Sequence, residues 1–217
     1  MKFRAVLFDL DGTLLDSLED LADSMNSVLE SHSFPCHGLE KYKYFVGEGM
    51  ENLVRRAMPE SAGKDEKMVA LCLGAMREEY AKRWIDKTRP YDGVPELLSS
   101  LASHGLKLAI LSNKPDDFAK KATAKLLAPW RFEAVVGERP PTPRKPDPAG
   151  ALRIVEQLAI PAHQFLYVGD TSIDMKTGNA AGMFAVGVLW GFRGADELFA
   201  AGARVLIEKP LELLELL

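Results

Sequence analysis

The residues in this chain that can do chemistry are a few acids and a lysine, most of them placed where an apolar run stops. Val6-Leu7-Phe8 runs directly into Asp9-Leu10-Asp11-Gly12-Thr13. A short apolar run closed by Asp and Gly reads as a buried strand and the loop after it. Two carboxylates at the mouth of such a strand cost desolvation energy unless a cation or hydrogen bonds offset it. The spacing points to Asp9 as a metal-assisted nucleophile with Asp11 as its acid/base partner. The plainer alternative is a polar turn that caps the next helix. Three later stretches add to the first reading. An apolar run at 106–111 ends in Ser112-Asn113-Lys114-Pro115, and a Pro-rich loop carries Arg144-Lys145-Pro146-Asp147-Pro148. The run Phe165-Leu166-Tyr167-Val168 ends in Gly169-Asp170-Thr171-Ser172-Ile173-Asp174.

Together these side chains suit phosphoryl chemistry. Asp9, Asp11 and Asp170 offer hard oxygen ligands, which favour Mg2+ where phosphate is present. A metal beside Asp9 keeps it ionised and screens it from an incoming anion. Lys145, in its Pro-braced loop, can neutralise phosphoryl oxygens as a point charge. Ser112 and the backbone amide after it can hydrogen-bond a phosphoryl oxygen, and Asp is an established nucleophile in aspartyl-phosphate chemistry. Competing arrangements are missing from the sequence. His32, His37, His104 and His163 follow no strand end and read as surface or loop histidines, and no GxxxxGK[ST] loop occurs.

The elements that must position this set follow from the chain as a whole. Its 217 residues are 47% hydrophobic and 27% charged, with a net charge of −4, the profile of an ordinary soluble globular protein. The acidic balance argues against nucleic acid as a ligand. No apolar segment has the length of a membrane span. Lys2 and Arg4 precede only a short apolar run, so no signal peptide is expected. Cys36 and Cys72 lack metal-ligand spacing and are expected as buried free thiols in the reducing cytoplasm. Residues 16–89 read as all-helical, with Ser17 and Asp20 as a capping box for the first helix. Val69, Leu73, Met76, Tyr80 and Trp84 share one face of a helix over 65–86. From Pro90 onward strands alternate with helices: strands at 106–111, 134–136, 165–168, 183–188 and 205–207, with Gly105 ending a helix in the left-handed conformation. The expected architecture is α/β, a Rossmann-like parallel sheet with helices on both faces and an inserted small helical cap domain. The boundaries are 1–15 with 90–217 for the catalytic core and 16–89 for the cap. In such a sheet the C-terminal strand ends share one crevice, so Asp9, Asp11, Ser112, Lys145 and Asp170 can converge.

With these residues in order, the chain resembles the haloacid dehalogenase-like hydrolases. Asp9-Leu10-Asp11-Gly12-Thr13, Ser112-Asn113, Lys145-Pro146-Asp147-Pro148 and Gly169-Asp170-Thr171-Ser172-Ile173-Asp174 look like that superfamily's four motifs. The helical insertion is similar to that of the phosphoglycolate phosphatase and β-phosphoglucomutase branch. The stretches beginning Val46-Gly47-Glu48-Gly49 and Trp190-Gly191-Phe192 look most like phosphoglycolate phosphatases.

The resemblance implies that Asp9 attacks phosphorus and that Asp11 protonates the leaving alkoxide, then activates water. It implies Mg2+ held by Asp9, the Asp11 carbonyl and Asp170, and phosphate bound by Ser112, Asn113 and Lys145. Asp174 is either a second-layer metal partner or a helix N-terminal residue. Thr13 is either a second-layer partner of the site, like Asp174, or purely a support for the tight loop, and Asp147 is a turn and helix-start residue. In the cap, Arg55, Arg56 and Lys43 either meet a substrate carboxylate or form a solvated helix face, and Glu48 enters a specificity loop. Trp190 and Phe192 either line the entrance or plug the core. The implied activity is a Mg2+-dependent phosphomonoesterase on a small phosphorylated metabolite, with phosphoglycolate first. A β-phosphoglucomutase-like phosphotransferase and a pyrophosphatase remain as alternatives. From another class, so does a non-catalytic binding or regulatory domain. The chain is expected as a monomer or homodimer without nucleic-acid or membrane partners.

Overall fold

The computed structural model describes residues 3–217, so Lys2 lies outside the described residues. In chain order the elements begin with β1 (Ala5–Phe8), β2 (Leu15–Asp16), α1 (Leu18–Ser31), α2 (Leu39–Phe45), α3 (Met50–Ala57), α4 (Glu60–Gly63) and α5 (Glu66–Arg83). They continue with β3 (Arg89–Pro90), α6 (Val94–Ser103), β4 (Lys107–Pro115), α7 (Asp116–Leu126), β5 (Phe132–Glu138) and α8 (Ala149–Leu158). The chain closes with β6 (Phe165–Gly169), α9 (Ser172–Ala180), β7 (Phe184–Val188), α10 (Ala195–Ala200), β8 (Val205–Ile207) and a 3-10 helix at Pro210–Leu216.

Six strands form one sheet in the order β5-β4-β1-β6-β7-β8, and every neighbouring pair is parallel. All four residues of β1 are buried, as expected where helices cover both faces of a parallel sheet. β1 pairs with β4 through Phe8↔Ile110 and with β6 through Phe8↔Val168. The order of connection reverses at β1, since β4 and β5 extend one side and β6, β7 and β8 the other. That reversal opens a crevice at the C-terminal ends of β1, β4 and β6. Ala5, Leu7, Ala109, Phe165 and Tyr167 pack in a core cluster with Ala151 and Ile154 of α8.

The chain divides into two compact units, Met1–Leu15 with Pro90–Leu217, and Asp16–Arg89. The first unit contains the six-stranded sheet. Gly105 ends α6 at φ 75°, in the left-handed region. β4 runs four residues beyond the strand expected from hydrophobicity, and Ser112 to Pro115 stay extended and buried. Their polar groups have specific partners, described below, so burial there does not require apolar side chains.

The second unit is helical apart from the single residues Asp16 and Arg89, which belong to the two-residue strands β2 and β3. Ser17 makes no side-chain cap bond, and the expected capping box is absent. Asp20 is instead buried and turned to the end of the unit. Its Oδ2 accepts from the Thr88 amide at 2.8 Å and the Thr88 hydroxyl at 2.6 Å, and both its oxygens accept from the Lys87 amide at 3.1 Å. Charge-assisted bonds from these donors satisfy the carboxylate where it is buried. Asp65 caps the start of α5, its side chain accepting from the Lys67 and Met68 amides. It buries Val69, Cys72, Met76 and Tyr80, while Leu73 and Trp84 are only half-buried. Cys72 is buried as expected, but Cys36 is exposed because it lies in the loop after α1. No helix among the described residues is long and apolar enough to cross a membrane.

Candidate active site

The sheet brings the separated motif residues to its switch point. Asp9 follows β1 directly. Its Oδ1 accepts from the Leu10 amide at 2.7 Å and lies 2.9 Å from Lys145 Nζ. The same ammonium lies 2.7 Å from Asp174 Oδ1, so it bridges two buried carboxylates. Lys145 is held from behind by a reciprocal pair of bonds. The Asn113 amide group donates to the Lys145 carbonyl at 3.0 Å, and the Lys145 amide donates to Asn113 Oδ1 at 2.9 Å. Ser112 Oγ accepts from the Lys114 amide at 3.2 Å.

Asp170 directly follows β6 and has no exposure. Thr13 Oγ1 donates to its Oδ1 at 2.9 Å, and the Phe192 amide donates to its Oδ2 at 2.9 Å. Gly12 sits at φ 86°, and a Cβ at Gly191 would run into Asp170 and the Gly12 carbonyl. The Gly12 and Gly191 loops therefore close around this carboxylate. Trp190 Nε1 donates to the Thr13 carbonyl at 3.0 Å. The Trp190-Gly191-Phe192 stretch thus supports Asp170, and Phe192 is buried.

Asp174 is a helix N-terminal residue, the second of the two roles the sequence left open. It belongs to a capping box with Thr171 at the start of α9, its Oδ2 accepting from the Thr171 amide at 3.0 Å and hydroxyl at 2.7 Å. It also belongs to a buried acid cluster. Asp9, Asp170 and Asp174 each offer an oxygen within 4.8 Å of the others. Asp147 accepts from the Ala149 amide at 2.8 Å, in keeping with a turn and helix-start residue.

The electrostatics follow from burial. Desolvation pushes the Asp9 carboxyl up to about 7; Lys145 opposes the rise and Asp174 adds to it. Desolvation, with Asp174 and Asp9 nearby, holds the Asp170 carboxyl well above the ordinary carboxylate range. Burial works against the Lys145 ammonium, but Asp174 and Asp9 outweigh it and keep the amine protonated far above its usual range. Lys145 pairs with two of the three buried carboxylates, Asp9 and Asp174, and Asp170 is held by Thr13 and the Phe192 amide. Buried, close-set hard oxygen donors with excess negative charge fit a divalent cation such as Mg2+.

One residue was missed by sequence reasoning. Lys114 is buried, and its Nζ lies 2.9 and 3.0 Å from the two Asp11 oxygens. The only signal for it was its position directly after Ser112-Asn113. The basic residues proposed for substrate lie in the Asp16–Arg89 unit, each with an acidic partner there. Arg55 is 2.7 Å from Glu51 Oε1 and 2.6 Å from Glu66 Oε2, Lys43 is 3.0 Å from Glu40, and Arg56 pairs with Glu48 and the Tyr44 carbonyl.

A doubly wound parallel sheet with a buried acid cluster at its switch point defines an α/β fold with a candidate active site. The chain belongs to the haloacid dehalogenase-like hydrolases, whose family model matches residues 6–188. It is a phosphoric monoester hydrolase of that family. It is 34% identical to the phosphoglycolate phosphatase of Xanthomonas campestris pv. campestris (strain 8004), over 99% of this chain and 97% of that protein. It is 33% identical to the phosphoglycolate phosphatase of Pseudomonas syringae pv. tomato, over 87% of this chain and 70% of that protein. A crystal structure from Lactobacillus delbrueckii subsp. bulgaricus, provisionally named phosphoglycolate phosphatase, superposes with a TM-score of 0.92 at 30% identity, covering 100% of this chain and 98% of that one.

Proposed function

We propose that the protein hydrolyses a small phosphomonoester with Mg2+, through an aspartyl-phosphate on Asp9, and that phosphoglycolate is its substrate. The observation that carries this reading is the Lys145 ammonium held 2.9 Å from Asp9 Oδ1 at the switch point. It holds a buried cation beside a carboxylate oxygen in a site otherwise rich in acids. Asp9 uses a carboxylate oxygen to attack phosphorus in line with the leaving oxygen. Asp11, carrying a proton taken from solvent, gives it to the departing oxygen; the resulting carboxylate then takes a proton from the water that attacks phosphorus and breaks the Asp9–phosphate bond, releasing phosphate. Lys145 and Ser112 neutralise and orient the phosphoryl oxygens, and Asn113 fixes the Lys145 backbone.

Asp9, the Asp11 carbonyl and Asp170 are the residues that would hold Mg2+, with Asp174 behind them and Thr13 fixing Asp170. The ion would supply charge neutralisation for the phosphoryl group. The unit Asp16–Arg89 acts as a cap that excludes water and reads the leaving group, through Arg55, Arg56, Lys43 or Glu48. The names of the relatives support phosphoglycolate. Two free cysteines are consistent with a cytoplasmic protein.

The test is phosphate release from phosphoglycolate, sugar phosphates, nucleotides and pyrophosphate, with Mg2+ and with chelator. A Mg2+-dependent preference for phosphoglycolate supports the proposal. Interconversion of hexose phosphates without phosphate release, or preference for pyrophosphate, replaces it with the corresponding alternative. Release that survives the chelator overturns the metal assignment.

A further inference from the structure

The Lys114–Asp11 pair is an odd resting arrangement for an acid/base residue. Lys114 comes from the extended end of β4 and Asp11 from the loop after β1, 103 residues away. The Lys114 side chain is 3% exposed and that of Asp11 11%. The ammonium meets both carboxylate oxygens, at 2.9 and 3.0 Å. It is therefore a seat shaped for a carboxylate, buried in the sheet domain beside the nucleophile loop. Charge-assisted bonds of this kind are strong and geometrically selective.

While both of its oxygens bond Lys114, the Asp11 carboxylate is held against that ammonium and turned to it. For the reaction proposed above, the pair must open. Opening takes a two-oxygen anion away from a buried ammonium, which is unfavourable unless an equivalent anion replaces it.

We infer that Lys114 is a specificity-determining residue: it takes the carboxylate of the substrate's leaving group in place of Asp11, and the exchange frees Asp11 to turn toward the ester oxygen. This rests on the phosphomonoesterase reading. It extends that reading by making a carboxylate on the leaving group a condition for releasing Asp11, so that substrates lacking one leave Asp11 engaged. The candidate cations Arg55, Arg56 and Lys43 each pair with a carboxylate of the Asp16–Arg89 unit. Lys114 holds the one carboxylate that must move.

The experiment compares phosphoglycolate with 2-hydroxyethyl phosphate, which replaces the carboxylate by an uncharged hydroxymethyl group at nearly the same size. kcat/KM for both is measured in the wild type, Lys114→Met and Lys114→Arg, with thermal midpoints to confirm folding. The wild type is expected to favour phosphoglycolate by about tenfold or more, the worth of one charge-assisted hydrogen bond. Lys114→Met is expected to lose most of that ratio, and Lys114→Arg to regain part of it. A fall in both substrates by the same factor overturns the inference and leaves Lys114 as support for Asp11 alone. A wild type that uses both equally also overturns it, without any variant having to fold, while the hydrolase reading stands. Failure of the wild type to release phosphate from any ester overturns the underlying function and the inference with it.

Discussion

Asn113 and Lys145 exchange two hydrogen bonds across 32 residues, at 3.0 and 2.9 Å, so the end of β4 and the Pro-rich loop are held as one piece. The bonds run between the Asn113 side chain and the Lys145 backbone. This aims the Lys145 ammonium without using any of its protons, leaving them for Asp9 and Asp174. Asn113→Ala removes both bonds and leaves a buried amide and carbonyl of Lys145 without these partners. The expected outcome is a loss of about 1–3 kcal/mol of stability and a fall in kcat larger than any change in KM. Thermal melts and steady-state kinetics check it, and unchanged kcat would show that the loop positions Lys145 without Asn113.

Asp9→Asn should separate activity from stability. Burial is the largest influence on the Asp9 carboxyl, so removing its charge removes a desolvation cost. The variant is expected to lose at least about a thousandfold in turnover, as nucleophile replacements do. Its metal-free thermal midpoint should be equal to or above that of the wild type. A clear fall in the midpoint would mean that the contact with Lys145 outweighs burial.

The raised acids also give the metal-free protein a pH dependence with a definite sign. Asp9 goes from an ordinary 3.8 to about 7 in the folded chain, and Asp170 moves the same way. The folded state then binds more protons than the unfolded state between these values, so stability falls as pH rises from about 4 through about 7. A divalent cation should reverse that loss, because it favours the ionised acids. The rise in thermal midpoint on adding Mg2+ to chelator-treated protein is therefore expected to be larger at pH 8 than at pH 5. An equal rise at both values would detach the metal from these carboxylates.

In the helical unit, Asp20 is the buried acceptor that ties α1 to residues 87–88. Asp20→Ala strands the Thr88 hydroxyl and two backbone amides, and a loss of about 2–4 kcal/mol is expected. Urea unfolding followed by a probe in this unit, such as Trp84, reads it. A change within about 0.5 kcal/mol would mean that those donors find other acceptors.

The sequence by itself determined the parts of this protein that depend on near neighbours in the chain. β1 and β6 are apolar runs buried throughout and stopped by polar residues, so the positions of Asp9 and Asp170 at strand ends were legible. The left-handed Gly105 and the Pro-bounded start of α8 follow from local conformational preference. The tertiary structure decided which partner each polar group takes. Ser17 and Asp20 have capping-box spacing, yet Asp20 bonds to residues 87–88, because the end of the helical unit offers buried donors that spacing does not reveal. Asp174 is held by its own loop through Thr171 and by Lys145 from 29 residues away, and only the first bond is written locally. The pairing of Lys114 with Asp11 depends on β4 lying against β1 with Phe8 opposite Ile110. A one-residue slip would turn Lys114 to the other face of the sheet. Periodicity is a property of neighbouring residues, whereas that register is set by the packing of the whole sheet.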